Sequence, residues 1–507
     1  MELNKYLSFL ERNEVLQHIG HHPISSIAAA AATAITAVSL WKTAKKIWQK
    51  DISLNGYRQI PSPEGVLPYF GHLFQIDKDL PALKFEEWHN KYGPLIRVQM
   101  GIRPWIIIGN CLFAHEILMM QGSKTSNRPS FHPFLGYYSI NQRGMTFTNP
   151  DLRWKRSRTV AQKIFATKSV AKLERMMQGE ATRVVDLLLQ DTATLGKINI
   201  AKYMQFCPLN VILQMCFGIH VTTVEDPLFQ VMVDTVDTTV LWGSPKDDMT
   251  NFLPLFTKVF NMIMLRGINP SKKRYEDFIY QKRDPLFRQL IKEALESGDS
   301  NDCFVKELYK IKEANEFEED DILVFLADLA NAGTDPTAIT LSWAFIILSH
   351  HIQKESIRYR PSNHFTLPHE STKDIVCQGY FIPKGSILLA NTYSINMDPE
   401  LYPDPENFIP DRYLSDPKPF SVSVNSKIDE RDQFMFGWGR RLCPGVHFAE
   451  VLLFNYWVRI FATTIIEPPL DNQGNPIYPN LNARRDGGLV APVETYLRFI
   501  KREDSLI

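Results

Sequence analysis

Apolar residues recur along the chain in two rhythms. Helical spacing, with apolar positions three and four apart, runs through residues 210–219 (NVILQMCFGI), 321–349 and 446–457. From about residue 173 to 284, apolar helical stretches alternate with polar turns, and SGDSND at 297–302 is a further turn. The other rhythm is that of strands. Residues 95–110, LIRVQMGIRPWIIIGN, read as two strands around Gly101 to Pro104, with β-branched residues on both sides. Pro383-Lys384-Gly385 is a turn between apolar strands, and the tail from Thr463 onward ends in strand-like pieces. NFLPLFTKVFNMIML at 251–265 is apolar enough for a channel roof or a membrane-dipping element, and core packing reads it equally well.

One run differs from these. Residues 24–41, ISSIAAAAATAITAVSLW, are 18 positions without a charge. A membrane helix needs about 20 residues, and Ala, Ser and Thr make this one weakly hydrophobic. Lys42, Lys45, Lys46 and Lys50 follow it, which leaves the bulk of the chain on the cytosolic side. The segment before it is too long and too weakly basic for a cleaved signal, and Glu2, Glu11 and Glu14 argue against a mitochondrial transit peptide. The expected layout is a leader at 1–23, an anchor helix at 24–41, a basic and proline-rich linker at 42–71, and one catalytic domain at 72–507. Pro61, Pro63 and Pro68 stiffen the linker.

Composition narrows the function classes. Lys plus Arg and Asp plus Glu are equal at 56 each, so no bulk charge points to nucleic acid. The six cysteines are scattered without CxxC pairs, which favours a reducing compartment over a disulfide framework or a zinc site.

One of those cysteines stands in a special setting. FMFGWGRRLCPGVHFAE, residues 434–450, places Cys443 after Phe436, Gly437, Gly439 and Arg441 and before Gly445. Glycines let the backbone turn tightly and approach a neighbour closely. A thiolate at the start of the helix that follows gains amide donors and the positive helix end. The spacing F-G-x-G-x-R-x-C-x-G resembles the haem-ligand loop of the cytochrome P450 family. That resemblance implies a mostly α fold with a smaller β portion, and haem b held by the Cys443 thiolate.

Further segments extend the resemblance in order. Trp154 and Arg158 lie four apart on one helix face, and the family uses the matching pair on a haem propionate; Arg441 and His369 fall at further propionate-binding positions. Residues 363–367, with part of 131–147, match positions that line the family's substrate pocket. Glu355 and Arg358 match its E-x-x-R motif, and Arg412 in FIPDRY matches the arginine that locks with them to brace the cysteine loop. The central helix of the family carries A-G-x-D-T-T where this chain has Ala332-Gly333-Thr334-Asp335-Pro336-Thr337. Asp335 is therefore expected in the proton-delivery region, but Pro336 brings no hydroxyl and removes the bond to the carbonyl of Ala332. Thr337 or an ordered water is the candidate substitute.

A second departure concerns length. Only residues 338–354, 17 in all, separate Thr337 from Glu355, where the family places several dozen. No Gly or Pro lies between Pro336 and Pro361, so residues 337–360 could continue as one helix of about 36 Å. That would carry Glu355 away from the haem side. A tight turn at 349–351 is the alternative. Either way, a locally compromised fold is expected here.

The resemblance implies a monooxygenase inserting one oxygen atom of O2 into a small lipophilic substrate. It implies electrons from NADPH through a separate NADPH–cytochrome P450 reductase, with cytochrome b5 as a second partner, and residence in the endoplasmic reticulum membrane with the catalytic domain facing the cytosol. Arg440 belongs to a basic face suited to that docking. Two other readings stand beside it: a haem-thiolate isomerase or dehydratase without a reductase, motivated by Pro336, and a non-catalytic truncated form, motivated by the short link.

Overall fold

The computed structural model describes residues 56–504, apart from 78, 131, 245–248, 266–268, 299–302, 348–352 and 416–417. The leader, the anchor run and the start of the linker lie outside the described residues. Among the described residues no helix is long and apolar enough to cross a membrane; the apolar 251–265 stretch forms a helix of only 11 residues, Pro254–Met264.

Helices dominate. In chain order the ones that position the site are α1 (Leu152–Ile164), α2 (Thr167–Leu195), α3 (Ile200–Phe217), α4 (Pro227–Gly243), α5 (Glu319–Ile347), α6 (Gln353–Tyr359) and α7 (Val446–Thr463). Their ends follow capping chemistry. Asp151 caps α1 by accepting from the Trp154 N–H at 2.8 Å, and Asn199 and Asp226 cap α3 and α4 in the same way. Gly218 closes α3 in the left-handed conformation, φ 70°. Glu319, Asp320 and Asp321 fill the first turn of α5, where the positive helix end favours carboxylates.

α3 and α5 form the centre, with α2 and α7 packed together beside them. Both central helices are buried nearly all round, as a core helix of a large domain must be. Pro336 sits inside α5, yet the helix runs through it. The magnitudes explain this. An interior proline costs about 3 kcal/mol, whereas each fully buried Leu or Phe contributes roughly 1.5–3 kcal/mol, and Leu323, Phe325, Leu341 and Phe345 are all buried on this helix.

The strands collect into small sheets. β1 (Leu95–Met100) and β2 (Arg103–Ile108) form the expected hairpin. Gly101 at its tip has φ +59°, and a Cβ there would lie 2.2 Å from the Phe252 carbonyl oxygen. A strand at Ile387–Ala390 pairs parallel with β2, and the edge strand His369–Glu370 closes the four-stranded sheet. The C-terminal tail supplies Tyr496–Lys501, central to a three-stranded sheet with Ile198–Asn199 and Thr464–Glu467.

The short link resolves into two helices. α5 stops at Ile347 and α6 begins at Gln353; the turn expected at 349–351 lies outside the described residues. The single 337–360 helix does not form. Lys354, Glu355, Ser356, Ile357 and Arg358 are all buried; residues 348–352 of the link, where a compromised fold is expected, lie outside the described residues. Burying Glu355 beside its arginines outweighs the helix-permissive sequence that would have extended α5.

Candidate active site

The cysteine loop is built by local backbone bonds. The Cys443 N–H donates to the Phe436 carbonyl at 2.9 Å, and Leu442 N–H donates to Gly439 at 3.1 Å. Gly437 and Gly439 have φ +80° and +56°. At Gly439 space as well as φ excludes a side chain: a Cβ would lie 2.5 Å from the Leu118 oxygen and 2.9 Å from Met119 Cα. Phe436 packs on Phe420, with centroids 5.6 Å apart, and the Arg431 guanidinium donates to the Gly437 carbonyl at 2.7 Å. Gly445 ends the loop as the residue before α7, and its N–H points at the Cys443 sulfur.

Burial pushes the Cys443 thiol up, while the Gly445 N–H and the Arg158 charge pull it back. Arg158 donates to the carbonyl of Leu442, next to the cysteine. The expected face on α1 is therefore real, and it meets the loop directly.

Around that contact the structure gathers guanidinium groups. Arg441 donates to the carbonyls of Ser126 (2.9 Å), Met145 (3.1 Å) and Thr148, and its guanidinium lies 4.8 Å from the Trp154 ring. The Trp154 indole N–H donates to the same Met145 carbonyl at 3.0 Å. Arg128, which sequence reasoning missed, donates to Thr146 (3.0 Å), Leu367 (3.1 Å) and Pro368 (2.9 Å). His369 holds the Thr125 carbonyl through Nδ1 at 2.8 Å. Trp154, Arg158, His369, Arg441 and Cys443 thus converge, from segments as far apart as residues 125 and 443.

No carboxylate forms an ion pair with Arg128, Arg158 or Arg441 among the described residues. Their hydrogen-bond partners are neutral carbonyls, so burial is offset only at Arg158, by the Cys443 sulfur. Burial, then Arg128, Arg158 and Arg440, push Arg441 down to about 8; burial pushes Arg128 down to about 10. Burial and Arg128 lower His369 as well. A cluster of like charges this deep is stable only with an anion to neutralise it. One sulfur donor beside several unpaired guanidiniums fits a haem, whose iron takes the thiolate and whose edge carries two carboxylates.

Behind the loop, the expected brace is complete. Glu355 accepts from Arg358 Nε and a terminal nitrogen at 2.8 and 2.7 Å, from Arg412 Nε at 3.2 Å, and from the Ile409 N–H at 3.0 Å. Arg358 adds the carbonyls of Asn396, Pro405 and Asn407.

Asp335 and Thr337 lie elsewhere, buried on α5. The partners of Asp335 come from two other helices. Gln205 of α3 donates from one amide nitrogen to Asp237 of α4 at 2.8 Å and to Asp335 at 3.3 Å. Burial and the neighbouring Asp237 push Asp335 up to about 7. About two turns earlier, Asp328 accepts from the N–H groups of Met145 (2.7 Å) and Thr146 (3.1 Å) and from the Tyr138 hydroxyl (3.0 Å). It ties α5 to the loop whose carbonyls hold Arg441, Arg128 and Trp154. Neither Asp328 nor Gln205 belongs to a short motif, so nothing local in the sequence marked them.

The family model described as Cytochrome P450 matches residues 61–353 and 352–486. The two stretches meet where α5 gives way to α6. The cytochrome P450 monooxygenase fogE of Aspergillus ruber is 26% identical over 514 residues, covering 93% of this chain and 92% of that protein. Cytochrome P450 1A5 of Gallus gallus is 27% identical over 489 residues, covering 85% and 88%. Among solved structures, a zebrafish cytochrome P450 with progesterone has a TM-score of 0.67 at 19% identity, covering 83% of this chain and 99% of that one. Another with abiraterone has a TM-score of 0.65 at 20% identity, covering 83% and 100%.

Proposed function

The chain belongs to the cytochrome P450 family, an enzyme class with a haem-thiolate cofactor, and we propose that it inserts one oxygen atom of O2 into a small lipophilic substrate with electrons from an NADPH-dependent reductase. The observation that supports this best is the convergence of the Cys443 sulfur with the unpaired guanidiniums of Arg128, Arg158 and Arg441. Haem bound there supplies a thiolate-ligated iron at which O–O cleavage is favoured. The chain's own residues do the rest. Gly445 donates its N–H to the Cys443 sulfur and steadies the negative charge it takes on. Arg128, Arg158, Arg441, Trp154 and His369 hold the two propionates, and Glu355, Arg358 and Arg412 brace the loop from behind. Asp335 holds a proton near neutral pH. The uncharged run at 24–41 and the lysines after it support a single-pass anchor in the endoplasmic reticulum with the domain in the cytosol. Arg440 and its neighbours support docking of the reductase and of cytochrome b5.

The test is the carbon monoxide difference spectrum of the reduced full-length chain. A red-shifted, thiolate-type Soret band, lost in Cys443→Ala, is expected. A band at the unshifted position, or none, in the unaltered chain would overturn the reading. Lipophilic substrates should then be turned over only with NADPH and reductase; turnover without them would place the chain among isomerases or dehydratases.

A further inference from the structure

The cover over α5 opens midway. Every position from Asp321 to Ala330 is buried, whereas Ala332 is exposed and Asn331 and Gly333 are half-buried, in a helix that runs on to Ile347. Gly333 faces α3, where an added Cβ would lie 2.9 Å from the Ile212 side chain. The open side therefore belongs to Asn331 and Ala332, and α5 borders a cavity there. Asn331 follows Asp328 by three residues, on the same helix face. Asp328 bonds Met145 and Thr146, and Asn331 bonds Tyr138. The Met145 and Thr148 carbonyls hold Arg441, so Asn331 stands one loop away from the guanidinium cluster.

The polar contacts at this point run in one direction. Burial and the Asp328 charge push the Tyr138 hydroxyl well up, so it keeps its proton and donates it to Asp328 at 3.0 Å. The Tyr138 oxygen is then an acceptor. The Asn331 amide nitrogen donates to it at 3.0 Å and to the Ala327 carbonyl at 2.7 Å. Both contacts demand an N–H, so the amide can sit only one way round. Its Oδ1 is left over, buried, with no hydrogen-bond partner among the described residues. An acceptor in that position is costly until a donor reaches it.

We propose that Asn331 selects the substrate: its Oδ1 accepts a hydrogen bond from a hydroxyl or N–H group on a neutral lipophilic molecule bound beside Ala332. A hydrocarbon or ether of the same shape brings no donor. A carboxylate brings none either, and it would add a negative charge next to Asp328. Tyr138 and Asp328 are positioning residues, which hold the amide with its oxygen turned to the ligand. The assignment deepens the monooxygenase reading and rests on it, since only there is the bound molecule a substrate.

The experiment measures Kd by calorimetry on the full-length haem-loaded chain without reductase, so turnover does not enter. The probes are dodecanol and cyclododecanol, each against its methyl ether, and N-cyclohexylhexanamide against its N-methyl form, which separates hydroxyl from N–H donors. Dodecanoate serves as the anion. At least one donor should bind about 10-fold more tightly than its blocked form, and dodecanoate should bind more weakly than dodecanol. Asn331→Leu should abolish that preference by weakening the donor alone. Tyr138→Phe keeps Asn331 but frees one of its N–H groups for an ether or amide oxygen, so there the blocked form should gain. If no donor beats its blocked form in the unaltered chain, the assignment is overturned. An unchanged preference in either variant overturns it too, and Tyr138→Phe decides alone if Asn331→Leu does not fold. If the preference behaves as expected but NADPH and reductase oxidise none of the probes bound, donor recognition stands and the monooxygenase reading falls.

Discussion

Glu355→Gln is the sharpest probe of this fold, because it asks whether α6 docks correctly behind so short a link. Glu355 and Arg358 have side chains 0% and 1% exposed, and Arg412 is 10% exposed. The carboxylate is the only anion paired with either arginine among the described residues. Glutamine keeps the shape but turns one acceptor oxygen into a donor facing a guanidinium. Arg358 retains three backbone carbonyls, which limits the damage, yet its charge and that of Arg412 lose their counterion. Removing one partner of a buried ion pair costs about 3–5 kcal/mol. Against a total stability of roughly 5–15 kcal/mol, the variant should still fold but with a much lower urea midpoint. Urea denaturation of the haem-loaded chain, followed by tryptophan fluorescence and by the Soret band, measures this. Arg412→Gln should cost less, since Arg412 bonds Glu355 only at 3.2 Å and longer, and the double variant should cost less than the sum. A loss below about 1 kcal/mol in Glu355→Gln is what an exposed ion pair would give. That result would refute the docking of α6 described here.

Other outcomes follow from the same geometry. Gly439→Ala forces φ +56° on a side-chain-bearing residue and drives its Cβ into the Leu118 carbonyl, so haem incorporation should fall several-fold, read as the haem-to-protein absorbance ratio after purification. Arg128→Leu removes one of several mutually repelling buried cations: the haem-free chain should melt at a higher temperature, while haem should dissociate faster, roughly 10-fold for a lost charged contact of about 1.4 kcal/mol. Because Asp335 rises from 3.8 to about 7 on folding, the folded chain binds more protons between those values. Its contribution to stability is present below pH 4 and is lost as pH rises through 7. Asp335→Asn should therefore flatten the decline of the urea midpoint between pH 5 and pH 8.

The pair of helices at 319–359 shows where local reading stops. The absence of Gly and Pro permits one continuous helix, and helix propensity is a weak term of a few tenths of a kcal/mol per residue. The buried long-range bonds of Glu355, worth several kcal/mol if broken, are those to the Ile409 N–H and the Arg412 guanidinium. Long-range partners won over the local pattern. The proline in α5 gave the opposite lesson in the same terms: burial along the helix outweighed one missing bond.

What the sequence determined by itself is whatever depends on contiguous residues. The turn around Cys443, the shared face of Trp154 and Arg158, the 95–110 hairpin and the spacing of Glu355 and Arg358 are set by backbone geometry over a few positions. Tertiary structure alone decided which charges meet. Arg128 joins Arg441 across 313 positions, and Asp335 finds Asp237 and Gln205 on two other helices. Nothing in a window of the chain reports such encounters, because Coulomb and desolvation energies depend on distance and burial in space, and the chain sets those only once its helices have packed.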